Sequence, residues 1–181
     1  LQRIWQTVPQ VTQFEQADIT ELETFRKQQV AKLGEKAPRL TLLPFILKAV
    51  AHACQRYPEF NSALDNGGEQ LILKGYLNIG VAVDTPDGLV VPVLRDIPHK
   101  NILDLAAELA DLSQKARARK LTSADIQGGC FTISSLGGIG GTGFTPIVNA
   151  PEVAILGVAK AALQPVYQEG QFVPRLLLPL A

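Results

Sequence analysis

Residues 128–157 read GGCFTISSLGGIGGTGFTPIVNAPEVAILG, and the fold turns on them. Two apolar runs, Cys130–Ser134 and Val153–Val158, have strand character, and the connection between them carries Gly137, Gly138, Gly140, Gly141 and Gly143. A strand that ends in hydroxyls and then gives way to backbone without side chains leaves room for a ligand and offers it donors. A candidate active surface is therefore expected here. The glycines do not make a phosphate loop, because no Gly-Lys-Ser/Thr ending follows, and Phe144-Thr145-Pro146-Ile147 stands where a dinucleotide fingerprint needs a helix. No Gly-x-Ser-x-Gly elbow surrounds Ser134 and Ser135, which speaks against a hydrolase nucleophile. The two serines face opposite sides of a strand. On local sequence each is either structural or a hydrogen-bond donor in catalysis.

Working outward, Val8–Asp18 alternates loosely and is expected as a strand, following a helix-like Leu1–Trp5. Thr20-x-x-Glu23 predicts a capping box and a helix that runs to Leu33, closed by Gly34. Thr41 opens a second helix, Leu42–Tyr57, with an apolar stripe of Leu43, Ile46, Leu47, Val50, Ala53 and Cys54, stopped by Pro58. Asn66-Gly67-Gly68 turns into a strand at Gln70–Leu73. Leu77–Val83 and Leu89–Leu94 form a hairpin across Thr85-Pro86-Asp87-Gly88. Asn101 caps a third helix, Ile102–Arg119, with Ile102, Leu105, Ala106, Leu109, Leu112 and Ala116 inward, and Ser123 with Asp125 starts a short helical turn. A last hairpin, Ala162–Tyr167 and Gln171–Leu180, turns at Glu169-Gly170. Hairpins mixed with three long helices predict an α/β fold of the α+β type, one mixed sheet covered by helices in a single domain.

Composition narrows the function. Lys+Arg and Asp+Glu stand at 17 each in 181 residues, so no basic excess points to nucleic acid or to a membrane surface. The local stripe Lys115, Arg117, Arg119 and Lys120 reads as the solvated end of a helix before it reads as a phosphate site. Cys54 and Cys130 sit in apolar patterns without metal-ligand spacing and are expected as buried free thiols in a reducing, cytoplasmic setting. No apolar run reaches the roughly 18–20 residues that span a bilayer. His52 and His99 are expected in structural or solvated roles, and Asp84 and Asp87 as turn carboxylates that satisfy backbone amides.

Taken in order, VTQFEQADITELE, FNSAL, NIGVAVDTPDGLVVPVLRD, the helix ending KARARKL, the 128–157 stretch and FVPRLLLPL resemble the catalytic domain of the dihydrolipoyl acyltransferases, core subunits of 2-oxo acid dehydrogenase complexes. The likeness covers essentially the whole chain, and the first segment is most similar to the bacterial pyruvate dehydrogenase branch. It implies a chloramphenicol-acetyltransferase-like fold, homotrimers that build a higher-order core, and acetyl transfer between a dihydrolipoyl group on a separate lipoyl domain and coenzyme A. It further implies a decarboxylase and a dihydrolipoyl dehydrogenase as partners, bacterial cytoplasm as the location, and no covalently bound cofactor or metal in this domain. In the family a histidine takes the thiol proton of coenzyme A and a serine donates to the developing oxyanion. The family's Thr-Ile-Ser pattern puts that serine at Ser134. Thr132, Ser135, Thr145 and Asn149 bracket it as substrate-binding candidates. The family's histidine lies in a His-x-x-x-Asp-Gly motif, and neither His52, four residues before Arg56, nor His99, four before Leu103, matches it. The chain is thus expected to be truncated at both ends, holding the oxyanion half of the site and too little of it for acetyl transfer. The competing expectation is an assembly scaffold without catalysis.

Overall fold

The computed structural model describes residues 9–34, 37–65 and 67–181. The helix expected over Leu1–Trp5 lies outside them. The strands are β1 (Glu15–Asp18), β2 (Ser62–Leu64), β3 (Leu71–Leu73), β4 (Ile79–Val81), β5 (Val83–Thr85), β6 (Gly88–Val90), β7 (Val93–Leu94), β8 (Phe131–Ser135), β9 (Ile155–Val158), β10 (Ala162–Gln168) and β11 (Gln171–Leu180). The helices are α1 (Thr20–Leu33), α2 (Leu43–Arg56), α3 (Ile102–Arg117) and α4 (Ser123–Ile126), with 3-10 turns at Pro58–Asn61 and Ile97–His99. Among the described residues the main sheet runs β1-β11-β9-β8-β4-β7, with β10 also paired to β11. Strand β8 lies parallel to both β4 and β9, and the other pairings are antiparallel. The mixed sheet with helices is the fold expected.

One face of this sheet is covered by α2 and α3. Ile46, Leu47, Val50 and Cys54 from α2 meet Leu105, Leu109 and Leu112 from α3 over Ile79, Val81, Phe131, Ile133 and Val158. Fully burying one such side chain contributes about 1.5–3 kcal/mol, more than the ~1 kcal/mol of a helix cap, so packing decides where local signals compete. Between α1, α2 and β11 an apolar groove of about 490 Å³ remains, lined by Leu22, Phe45, Ala53, Cys54, Tyr57 and Leu178. Ala53, expected inward, is exposed there. Both cysteines are buried and free.

Several boundaries moved for identifiable reasons. Of the strand expected over Val8–Asp18, Val8 lies outside the described residues and from residue 9 on only β1 forms, since Glu15 already pairs with Leu180 near the end of β11 and Val11 is 98% exposed. The Thr20 capping box is not made: Thr20 is the first helical residue, its hydroxyl donates to Asp18 Oδ1 at 2.6 Å and accepts from the Leu176 amide at 2.8 Å. Glu23 is taken instead by Arg26, at 2.8 Å to both oxygens. Helix α2 starts at Leu43 with no side-chain cap, so Thr41 does not open it. The strand expected over Leu77–Val83 divides into β4, which pairs with β8 and β7 in the main sheet, and β5, which leaves that sheet at Val83 to pair with β6. Its partner divides too, at Pro92, whose ring nitrogen cannot donate to a ladder. Asn101 caps α3 as expected, accepting from the Leu103 and Asp104 amides at 2.8 and 2.9 Å. At α4 the cap is Thr122 and not Ser123, with its amide and hydroxyl both donating to Asp125. The charged residues expected at turns and helix ends pair with each other: Asp87 is held by Arg119, and Lys115 by Asp111 at 2.6 Å.

The β10–β11 hairpin closes through a two-residue turn in which Glu169 and Gly170 both have positive φ, 49° and 86°. That turn makes Gln168 and Gln171 a hydrogen-bonded pair, and alternation along the ladder leaves Pro165 opposite Pro174 in a non-bonded pair. Leu176, on the same parity, points its amide outward to Thr20 and its carbonyl to the Ile19 amide at 2.9 Å.

Candidate active site

Strand β8 presents two different faces. Phe131 and Ile133 point into the helix-covered core, so Thr132 and Ser134 point to the other side of the sheet. On that side the neighbouring strands carry glycines where side chains would collide. Gly157 of β9 pairs with Ser134, and a methyl built on it would sit 3.1 Å from Phe144 Cζ and 3.2 Å from Pro146 Cγ and Cδ. Gly80 of β4 pairs with Thr132, and a methyl there would come within 2.7 Å of Val91 Cγ1 and 3.2 Å of Thr132 Oγ1. The connection from Leu136 to Ala154 therefore folds back on the sheet at the level of Ser134. It is anchored at its start by the Leu136 amide on the Val158 carbonyl at 2.8 Å.

Thr132 is 1% exposed and its hydroxyl donates to Glu152 Oε2 at 2.6 Å. Thr132 thus lies buried on the same face of β8 as Ser134, with its hydroxyl engaged by Glu152. Burial pushes the Glu152 carboxyl above its ordinary value, while the Thr132 hydrogen bond and the Lys74 ammonium work against that rise. Lys74 Nζ itself donates to the Gly129 carbonyl at 3.1 Å. Glu152 also lines a cleft of about 640 Å³ together with Phe60, Pro146, Val148 and Val153. Ser134 does not line this cleft. Sequence reasoning passed over Glu152 and Lys74, although Glu152 is the single charged residue of the whole 128–157 stretch, and that isolation was the available signal.

Ser134 is half-buried at the end of β8, and its hydroxyl has no hydrogen-bond partner among the described residues. Ser135 is half-buried on the opposite side, near Gly137. Asn149 is half-buried and its carbonyl accepts from the Glu152 amide at 2.9 Å; Thr145 is exposed between Phe144 and Pro146. Neither histidine joins the serines. His52 is exposed on α2, in the helix layer across the sheet from Ser134, and exposed His99 bonds Asp96 Oδ1 at 2.6 Å. The arrangement offers one unengaged donor on a sheet face where Phe144 and Pro146 pack over Gly157, and it supplies no imidazole beside that donor among the described residues.

The serine hydroxyl at this strand end, roofed by a glycine-rich connection, does not sit in a strand-to-helix elbow of the hydrolase kind. Residues 1–181 match the family model for the 2-oxoacid dehydrogenases acyltransferase catalytic domain, and the chain belongs to that family. It is 60% identical over 181 residues to the dihydrolipoyllysine-residue acetyltransferase component of the pyruvate dehydrogenase complex of Pseudomonas aeruginosa, covering all of this chain and 33% of that protein. The chain thus spans about a third of that relative. Two solved structures superpose with TM-scores of 0.97 at 59% identity, over 99% of this chain and 74% of theirs. One is dihydrolipoamide acetyltransferase of Azotobacter vinelandii, investigated for the roles of a serine, a histidine and an asparagine in its catalytic mechanism; the other is the cubic core of the pyruvate dehydrogenase multienzyme complex. A chloramphenicol acetyltransferase, 18% identical, shares the fold at a TM-score of 0.55 over 95% of this chain and 77% of its own.

Proposed function

We propose that this chain carries the oxyanion half of an acetyl-transfer site working between a dihydrolipoyl group, held on a separate lipoyl domain, and coenzyme A. The observation that carries the reading is the unengaged Ser134 hydroxyl at the end of β8, beside Gly157. It occurs in a chain 59% identical to an acetyltransferase whose mechanism was studied at a serine. In the proposed reaction the sulfur of coenzyme A bonds to the thioester carbonyl carbon, charge gathers on the carbonyl oxygen, and the carbon–sulfur bond to the dihydrolipoyl arm then breaks. The coenzyme A proton passes to a base and returns to the departing dihydrolipoyl sulfur. Ser134 donates to the oxygen while it is charged, and a single such donor in a water-poor site is worth about 3–4 kcal/mol. In the Azotobacter protein the histidine stands farther along its chain from the serine than Ala181 stands from Ser134. Neither His52 nor His99 stands beside Ser134, and the base is accordingly assigned outside the described residues.

The same reading gives the chain homotrimeric association within a larger core, with a decarboxylase and a dihydrolipoyl dehydrogenase as partners in a bacterial cytoplasm. The buried free thiols of Cys54 and Cys130 support a reducing setting, and no helix of the described residues is long and apolar enough to cross a membrane. The test is Ser134→Ala in the full-length protein, assayed for acetyl transfer from acetyl-dihydrolipoamide to coenzyme A. The kcat should fall on the order of 10²–10³-fold with KM little changed. An undiminished kcat would overturn the assignment.

A further inference from the structure

The proposed reaction leaves unused the carboxyl of Glu152, which is joined to the Ser134 face of β8 through Thr132. It is held from several directions. Oε2 accepts from the buried Thr132 hydroxyl at 2.6 Å, and Oε1 lies so close to the backbone that a methyl on Gly129 would meet it at 3.1 Å. Its own amide donates to the Asn149 carbonyl at 2.9 Å, closing a tight turn at the end of the connection. Thr132 stands two residues before Ser134 on the same face of β8. Earlier in the same connection, Phe144 and Pro146 press on Gly157, the residue paired with Ser134. The connection therefore grips the sheet at two places, at Thr132 two residues before Ser134 on β8 and at Gly157 beside Ser134 on β9.

We infer that Glu152 is a positioning residue for Ser134: through Thr132 it ties the 144–152 segment to β8 and thereby fixes where the Ser134 hydroxyl meets the reacting oxygen. This rests on the acetyl-transfer reading. The carboxyl does not touch the reacting atoms and is not assigned a proton transfer. Burial disfavours its charged form, and the ionisable groups that face it are the Lys74 ammonium and the Cys130 thiol. A neutral amide at this position therefore keeps most of what the carboxyl provides, namely an acceptor of the right length for Thr132.

The predicted pattern follows from that geometry. In the full-length protein Glu152→Ala and Thr132→Val each remove the tie, and each should lower kcat for acetyl transfer by roughly 10- to 100-fold with KM for coenzyme A within about twofold, the scale of a displacement near 1 Å at a reacting group. Glu152→Gln should restore kcat to within a few-fold of the parent. The double variant should be no worse than the single ones, because both cut one connection. Thermal melts of every variant are run alongside, and Glu152→Gln and Thr132→Ser, which keep the bond, carry the comparison if the other two fail to fold. If Glu152→Ala and Thr132→Val keep the parent kcat, or if Glu152→Gln is as impaired as Glu152→Ala, the inference is wrong. An inactive parent, or a parent unaffected by Ser134→Ala, defeats the acetyl-transfer reading itself, so the two failures are told apart by the parent and Ser134→Ala controls.

Discussion

Replacing Gly157 with alanine tests the packing that brings the connection down beside Ser134. The added methyl would lie 3.1 Å from Phe144 Cζ and 3.2 Å from Pro146 Cγ and Cδ, whereas carbon pairs are most favourable at about 3.5–4.0 Å. All three neighbours are ring atoms, and two belong to a proline fixed in the chain, so relief requires the rings to retreat by several tenths of an ångström. Overpacking of this kind costs roughly 1–3 kcal/mol. Gly157 is not among the glycines with positive φ, so alanine fits its backbone and returns about 0.4–1 kcal/mol by stiffening the unfolded chain. The net destabilisation should be about 1–2 kcal/mol, which for a chain of this size lowers Tm by roughly 2–8 °C. Urea unfolding followed by circular dichroism should show a lower midpoint at constant slope. Phe144→Ala opens space for the methyl, so Phe144→Ala/Gly157→Ala should be less destabilised than the sum of the single variants. A Gly157→Ala midpoint equal to the parent's, or strict additivity in the double variant, would refute the close packing on which the site geometry depends.

Two further outcomes can be measured on the same material. Hydrogen bonds from the Thr20 hydroxyl and amide, with Arg175 adding, hold the Asp18 carboxyl at about 2 against its ordinary 3.8. The folded-state value is the lower one, so the stabilisation is present above about pH 4 and is lost as pH falls from there toward 2. Asp18→Asn should flatten Tm against pH in that window, and an unchanged slope would count against it. Burial, with Cys130 nearby, raises the Cys54 thiol to about 11. Its reaction with an aromatic disulfide at pH 8 should run at least 10²-fold slower in the native protein than in urea, and equal rates would show that the thiol is accessible.

The parts of the fold that sequence made legible are those in which a short-range signal and the tertiary need coincide. Asn101 caps α3, Pro58 stops α2, Glu169-Gly170 turns the last hairpin, and the alternation in Phe131–Ser135 separates core from site. The misread positions are those where a distant group claims an atom that local sequence had assigned elsewhere. The Thr20 hydroxyl looked like a cap acceptor for its own helix, but the outward amide of Leu176, 156 residues away, takes it. Leu77–Val83 looked like one strand, but its two ends have different partners, β8 for Ile79–Val81 and Val90 of β6 for Val83. Half of the site was legible in the same sense. Ser134 and the glycines announce themselves by adjacency, whereas the Thr132–Glu152 bond joins residues 20 apart, from a strand to the loop that follows it, and leaves no periodic trace.

Pro165 and Pro174 face each other across the β10–β11 ribbon, in a pair whose backbone groups point away from the ladder. Each free edge therefore offers a carbonyl and no amide at that level. The ribbon also exposes Leu163, Tyr167 and Phe172, at 71%, 65% and 73%. Cross-strand pairing puts Leu163, both prolines, Tyr167 and Phe172 on one side, and Tyr167 meets Phe172 edge-on at 5.3 Å. Bare edges beside greasy side chains are the usual starting point for chains zipping into fibres. Here one donor is missing from each row, which disfavours a strand lying alongside, while the side chains stay open to contact from above. The ribbon thus presents an apolar face to a partner from above, while each rim lacks one donor that a strand laid alongside would use.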